Sequence, residues 1–206
     1  MNVADVGRRA GAERLRRLPW HLRYRSGARL ASELRRLSVQ MTHRHCTVEF
    51  RGPVWIGPGF HLEIPDHGSL VVGAAVQFRR GFVCEIAADG VVSIGDGSIF
   101  TSHALVQCTT RIDIGRRCVF GQSVMLADGA HRFRDPTRHL LDQGYDFRPV
   151  RIGDGVVVMS KCTVTADIGD GTVLGAHSLV TRPLPERCLA AGTPATVVEA
   201  LTDRAS

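Results

Sequence analysis

One short phrase keeps returning through the middle of this chain: an aliphatic residue, then Gly, then two small or polar residues. It reads Ile56-Gly57-Pro58-Gly59, Val72-Gly73-Ala74-Ala75, Ile94-Gly95-Asp96-Gly97, Ile114-Gly115-Arg116-Arg117, Ile152-Gly153-Asp154-Gly155 and Ile168-Gly169-Asp170-Gly171. The first positions lie 16, 22, 20, 38 and 16 residues apart. Between them runs a beat of six: Ile94, Phe100 and Val106; Ile114, Phe120 and Leu126; Ile152, Val158 and Val164; Ile168, Leu174 and Val180. Six-residue units grouped in threes predict a parallel β-helix, each unit one short strand and one turn, with about 18 residues to a coil. The aliphatic residue then points inward and stacks on its counterpart about 4.8 Å away. The following Gly is expected to take the tight corner, with φ > 0 where needed.

Departures from that period mark insertions and trimmed corners. The 38-residue interval is read as one coil plus a loop of about 20 residues. The segment from Asp128 to Pro149 loses the beat and fills with His, Arg, Asp, Pro and Gly. The coil from Ile152 to Ile168 is two residues short of the period, consistent with a shortened corner near Ala166-Asp167.

With 206 residues the chain has room for one main domain and a small appendage. No apolar run reaches the length of a membrane span and no secretory signal opens the sequence, so a cytoplasmic protein is expected. The cysteines, 46, 84, 108, 118, 162 and 188, form no Cys-x-x-Cys and read as reduced packing residues. The net charge of +6 is uneven: residues 1–45 hold 11 Arg against Asp5, Glu13 and Glu33, a balance of +8, and the remainder carries −2.

That basic segment, 1–45, has no six-residue beat and looks helical. Leu30, Leu34 and Leu37 share one helical face; Leu15, Leu18 and Leu22 form another, broken by Pro19. A β-helix must cover its open first coil, so a short helical cap with its arginines toward solvent is expected. Weak contact with a membrane surface is the sharper alternative. Nucleic acid is not expected, because Trp20 and Tyr24 alone stand among the arginines, too few to form a row of stacking platforms.

Three stretches carry a family resemblance. Asp128-Gly129-Ala130-His131-Arg132-Phe133-Arg134-Asp135-Pro136, with Gln143-Gly144, is similar to the loop pattern Asp-x-x-His-x-aromatic-x-Asp-Pro, then Gln-Gly. The second runs from Ile168 through Gly175-Ala176-His177-Ser178 to Val180-Thr181-Arg182. Ala190-Ala191-Gly192-Thr193-Pro194-Ala195 is similar to a closing Ala-Gly-x-Pro-Ala. Together these resemble the left-handed β-helix, hexapeptide-repeat acyltransferases, especially their sugar O-acetyltransferase branch, over about residues 50–200. The resemblance implies a mainly β fold: a left-handed parallel β-helix over 46–206, with a short N-terminal helical cap and one protruding loop, 127–150. It implies acetyl-CoA as acyl donor, no metal, a homotrimer, and an active site between neighbouring prisms.

Carried over by position, the resemblance makes His131 the catalytic base. The backbone amides of Ser160 and Ala176 would face the pantetheine arm and thioester, and Thr181 and Arg182 the nucleotide end of CoA. His103 would sit beside the acceptor, and Asp128 or Asp135 would orient the imidazole or bind acceptor hydroxyls. Departures from the family pattern are Val157-Val158-Met159-Ser160 in place of Trp-Ile-Gly-Ala, Thr196 where a basic residue is common, and His139 where Pro is usual. Such chemistry needs a base for the hydroxyl proton, donors for the oxyanion and a grip on the thioester, and an imidazole titrating near neutrality suits the first task. A covalent acyl-enzyme on Cys162 is the weaker route, since nothing nearby would form the thiolate. Competing readings are a non-catalytic assembly or carbohydrate-binding module and a zinc-dependent carbonic anhydrase. The anhydrase usually shows a His-x4-His pair, which this chain lacks.

Overall fold

The computed structural model describes residues 18–19 and 27–202. From Thr47 onward the chain winds as a left-handed triangular prism whose three walls are sheets of parallel strands. The first wall stacks Thr47–Phe50, Ser69–Val72, Val91–Ile94, Arg111–Ile114 and Val150–Ile152, and bridges at Ile168 and Leu184 continue it. The second wall runs from Trp55–Ile56 through Val173–Leu174 to Cys188–Gly192. Ala195–Ala200 folds back antiparallel on that last strand and closes the far end. The third wall runs from His61–Glu63 through Val83–Ile86, Leu105–Cys108, Met125–Ala127 and Thr163–Val164 to Leu179–Val180.

Strand residues alternate buried and half-buried, as a wall with one inner face requires. The interior is a stack of like on like: Phe78, Phe100 and Phe120 pile up with ring centroids 5.5 and 4.6 Å apart. Cys84, Cys108, Cys118, Cys162 and Cys188 are buried free thiols in the same core.

Register corrects two details of the repeat. Ile56 pairs with Phe78, on the second wall, so it is not the first member of the column that holds Val72, Ile94, Ile114 and Ile152. The glycine after the aliphatic residue is not the one in the left-handed region either. In Ile94-Gly95-Asp96-Gly97 the positive φ, +70°, belongs to Gly97. Gly95 is needed for space, since a Cβ there would lie 2.6 Å from the Gly115 carbonyl carbon of the next coil. The long interval contains one coil and an inserted loop, as its polar composition predicts. The short coil loses its third corner at Ala166-Asp167, where Ile168 bridges directly to Ile152.

The N-terminal helix, Gly27–Thr42, lies on the first coil. It covers the open edge with polar atoms. Ser32 Oγ accepts from the Ile56 amide at 2.7 Å, and Arg35 Nη1 donates to the Ile56 carbonyl at 3.0 Å. His43 and His45 reach the Leu62 and Ile64 carbonyls of the third wall at 3.1 and 2.8 Å. Arg29 and Arg44 face solvent, while Arg35 turns to the prism. Leu30, Leu34 and Leu37 do share a face, and that face points to solvent. Of the other expected helix, Leu15 and Leu22 lie outside the described residues.

Candidate active site

The corners of the prism are where the chain's polar chemistry collects. At the first corner, turn amides are capped by an aspartate from the next coil. Ala74 N–H donates to Asp96 Oδ1 at 2.7 Å, Arg116 N–H to Asp154 Oδ1 at 2.7 Å, and Asp154 N–H to Asp170 Oδ1 at 2.9 Å. The third corner uses the same device. Asp167 caps the Arg151 amide at 2.8 Å, and Asp128 caps a whole turn. The Asp128 carboxylate is 3% exposed and accepts from the amides of Thr109 (2.7 Å), Thr110 and Arg111 (2.9 Å), and from Thr110 Oγ1 (2.8 Å).

This corrects the role expected of Asp128. Its oxygens are taken up by the preceding coil, so it neither orients His131 nor offers a free carboxylate to an acceptor. It roots the loop.

From that root the chain leaves the prism as a hairpin, Gly129–His131 antiparallel to Tyr145–Phe147, closed at its base by Arg148 N–H donating to the Asp128 carbonyl at 2.8 Å. Arg132 and Asp146 bridge the two strands at 2.6 Å. At the tip Asp135 Oδ1 accepts from Thr137 N–H and Oγ1 at 2.9 and 2.6 Å, which holds its carboxyl below the usual carboxylate range. Gln143 ties the tip shut, accepting from the Asp135 amide at 3.0 Å and donating to the Asp135 carbonyl at 2.9 Å. His139, where the family pattern favours Pro, caps the 3-10 turn Leu140–Asp142 through its ring, which accepts from Leu141 N–H.

His131 is exposed on this hairpin with its ring centroid 4.3 Å from that of Tyr145. It overlooks a groove of about 660 Å³ between the hairpin and the outer surface of the third wall. Glu63, Glu85 and Gln107, in register on three successive coils, form the groove's floor, and Tyr145 and Phe147 its side. Gln107 Nε2 donates to Glu85 Oε2 at 2.7 Å, which fixes the carboxylate. The sequence reading passed over these five. The signal was there, in the constant spacing of 22 from Glu63 to Glu85 to Gln107 and in the alternation of Tyr145 and Phe147.

The other expected residues sit elsewhere on the prism. His103, Ser160 and Ala176 all belong to the second corner, where residues take φ near +60° in a column: Gly81, His103, Ser123, Lys161, His177. His103 leans over Gly81, whose added Cβ would lie 2.5 Å from the ring Nδ1. Ser160 Oγ caps the Gln122 amide at 3.2 Å. Among the described residues it is the one such cap along this corner, the amides of Arg80 and Ser102 being uncapped as well. Ala176 has no acceptor to offer, and among the described residues the amides of Ser160 and Ala176 meet none. Thr181 and Arg182 are exposed at the shortened third corner of the same coil as Ala176. Cys162 lies just inside, with its thiol 3.1 Å from the Gly175 carbonyl and pushed above its ordinary pKa by burial. It is a packing residue.

The sequence matches no protein-family model. It is 30% identical over 152 residues to a probable acetyltransferase of Mycobacterium tuberculosis, covering 72% of this chain and 50% of that protein. It is 33% identical over 98 residues to galactoside O-acetyltransferase of Escherichia coli, covering 45% of this chain and 46% of the other. The chain thus spans about half the length of the curated relatives it matches. A hexapeptide-repeat acetyltransferase of Vibrio cholerae, solved with acetyl coenzyme A, superposes with a TM-score of 0.59 at 21% identity, over 83% of this chain and 79% of that one. This chain is thus similar in sequence to acetyltransferases and shares the fold of a hexapeptide-repeat acetyltransferase. In this hexapeptide-repeat protein, then, one chain holds His131 and the open amides on different corners of its prism.

Proposed function

We propose that the protein is an acyl-CoA-dependent O-acyltransferase that moves an acetyl group from acetyl-CoA to a hydroxyl of a sugar or glycosylated metabolite, with His131 as general base. The observation that carries this reading is the order of parts along the prism. The groove occupies the first four coils, His131 leaves the fourth, and the two unengaged amides of Ser160 and Ala176 follow on the fifth and sixth. Acceptor, base and acyl-donor grip are stacked in the order that the transfer requires.

They lie on different corners, so the site is completed when the second corner of one copy meets the loop root of the next, as in a homotrimer. The outer surfaces flanking that corner support such a contact. Ile99, Val119, Val157 and Val173 line the second wall in register, and Val83, Leu105 and Met125 the third, all half-buried in the single chain. The corresponding column of the first wall is mostly polar: Glu49, Val71, Ser93, Asp113 and Arg151. In this arrangement His103 of a neighbouring copy and Asp135 of the loop flank the acceptor.

The chemistry follows from those positions. The neutral His131 imidazole accepts the acceptor's hydroxyl proton as its oxygen bonds to the thioester carbon. The C–S bond then breaks, and the imidazolium returns its proton to the departing thiolate. The Ser160 and Ala176 amides hold the pantetheine arm and thioester, and the exposed Thr181 and Arg182 suit the nucleotide end, Arg182 pairing with phosphate. Replacing His131 with Ala is expected to lower turnover about 10²–10⁴-fold while CoA still binds by calorimetry. Turnover equal to wild type removes the base assignment. No thiol release from acetyl-CoA across a broad panel of hydroxylated acceptors, with no CoA binding, removes the reading itself.

A further inference from the structure

The helix Gly27–Thr42 turns its apolar stripe away from the protein. Leu30, Leu34, Leu37 and Met41 follow one another at intervals of four, three and four residues and are 64, 58, 46 and 59% exposed. Together they form one narrow face about 16 Å long. The opposite face is pinned: Val39 packs against the core, and Ser32 and Arg35 hold both the amide and the carbonyl of Ile56. The helix cannot roll its leucines onto the prism without breaking these bonds and reopening the first coil's edge. The stripe needs a cover from outside.

Charge identifies the cover. Residues 1–45 carry a surplus of +8 in sequence while the rest of the chain carries −2, and the described helix with its exit sets Arg29, Arg35, Arg36 and Arg44 against Glu33 alone. Arg29 and Arg36 border the stripe on its Glu33 flank, Arg36 being paired with Glu33 at 2.9 Å, and Arg44 follows the helix end. An apolar face on a helix of low average hydrophobicity, set in a basic surround, is the pattern of a helix lying in the plane of a membrane surface. A helical protein partner would be served by the leucine spacing alone and would gain nothing from the arginines. An anionic headgroup layer uses both.

We propose that the helix Gly27–Thr42 is an interfacial anchor that seats the first-coil end of the prism on an anionic lipid surface. This stands independently of the acyl-transfer reading.

The test is co-sedimentation of the full chain with phosphatidylcholine vesicles, with and without about one-third phosphatidylglycerol, at two salt concentrations. Binding to the anionic vesicles is expected to exceed that to the neutral ones by tenfold or more and to weaken as salt rises. Leu34→Asp combined with Leu37→Asp is expected to abolish it while leaving CoA affinity and thermal midpoint at wild-type values, since both side chains face solvent. The proposal is overturned by failure to pellet with anionic vesicles, or by binding that the double substitution leaves unchanged. It is equally overturned if sedimentation velocity without lipid shows wild type losing a self-association on that substitution, because the stripe would then be covered by a second copy.

Discussion

The first and second corners of the prism are built from the same turn, with a left-handed residue at each, and they differ in what happens to the turn's free amides. At the first corner Asp96, Asp154 and Asp170 each reach back one coil and cap an amide. At the second corner Ser160 does so once, for Gln122, and then the column presents Ala176. A capped amide is finished structure. An open one remains a donor for something else. Unsatisfied backbone donors persist where solvent or a ligand can reach them, and those of Ser160 and Ala176 fall on the two coils beyond His131, where the proposed function puts the acyl donor. The third corner contains both conditions: Asp128 caps its turn completely, and the loop it roots carries the exposed imidazole.

The contrast breaks most severely at Asp128. Replacing it with Ala strands three backbone amides and a hydroxyl, at about 1–3 kcal/mol for each buried unsatisfied group. The expected result is a fall in the thermal midpoint of about 10 °C or more, read by calorimetry, with the loop released. Had Asp128 served the acceptor, the variant would melt like wild type and show only a raised acceptor KM. That outcome would return it to the role its position in the sequence suggested.

Next in size is closing the open corner. Ala176→Ser copies the Ser160 device one coil further on and is expected to bring a hydroxyl to the Ser160 amide. Losing one donor from the proposed thioester grip should weaken CoA about tenfold, or about 1.4 kcal/mol, with thermal stability unchanged or slightly raised. Calorimetric titration decides it, and unaltered affinity would separate these amides from the donor site. The reverse substitution, Ser160→Ala, uncaps Gln122 and leaves the Ser160 amide in place. It should cost about 1 kcal/mol of stability and spare CoA binding.

What the sequence made legible follows this same division. Side chains that stack on their own kind repeat visibly, so the prism, the 127–150 loop and the trimmed corner near Ala166-Asp167 could all be read from spacing. Corner chemistry was harder, because an Asp in a turn looks the same whether it caps a neighbouring coil or awaits a ligand. Asp128 was misread for that reason: its partners, Thr109 to Arg111, lie 17 to 19 residues away. Glu85 and Gln107 were overlooked because a position on the outer surface acquires meaning only once register brings a loop over it. The helix failed differently. Its leucine face was legible, but its direction depended on Ser32 and Arg35 finding the Ile56 backbone, a contact across more than 20 residues that periodicity does not encode.

The smallest expected effect tests whether capping at the first corner is purely structural. Asp154 accepts from the Arg116 amide and is paired with its guanidinium at 2.8 Å, on the surface. The Arg116 hydrogen bonds hold its carboxyl below the usual carboxylate range. A carboxyl lowered on folding contributes stability above its unfolded pKa, near 4, and loses it as pH falls through the lower folded value. Wild type should therefore exceed Asp154→Ala by about 0.5 kcal/mol at neutral pH, the scale of an exposed pair. The two should converge in melts taken below about pH 3. CoA affinity should be the same in both proteins at every pH where they are folded, because the amide that Asp154 covers lies on the first corner and the proposed donor grip on the second. A drop in affinity with Asp154→Ala would mean that the first corner also carries ligand, and the distinction between capped and open corners would lose its functional meaning.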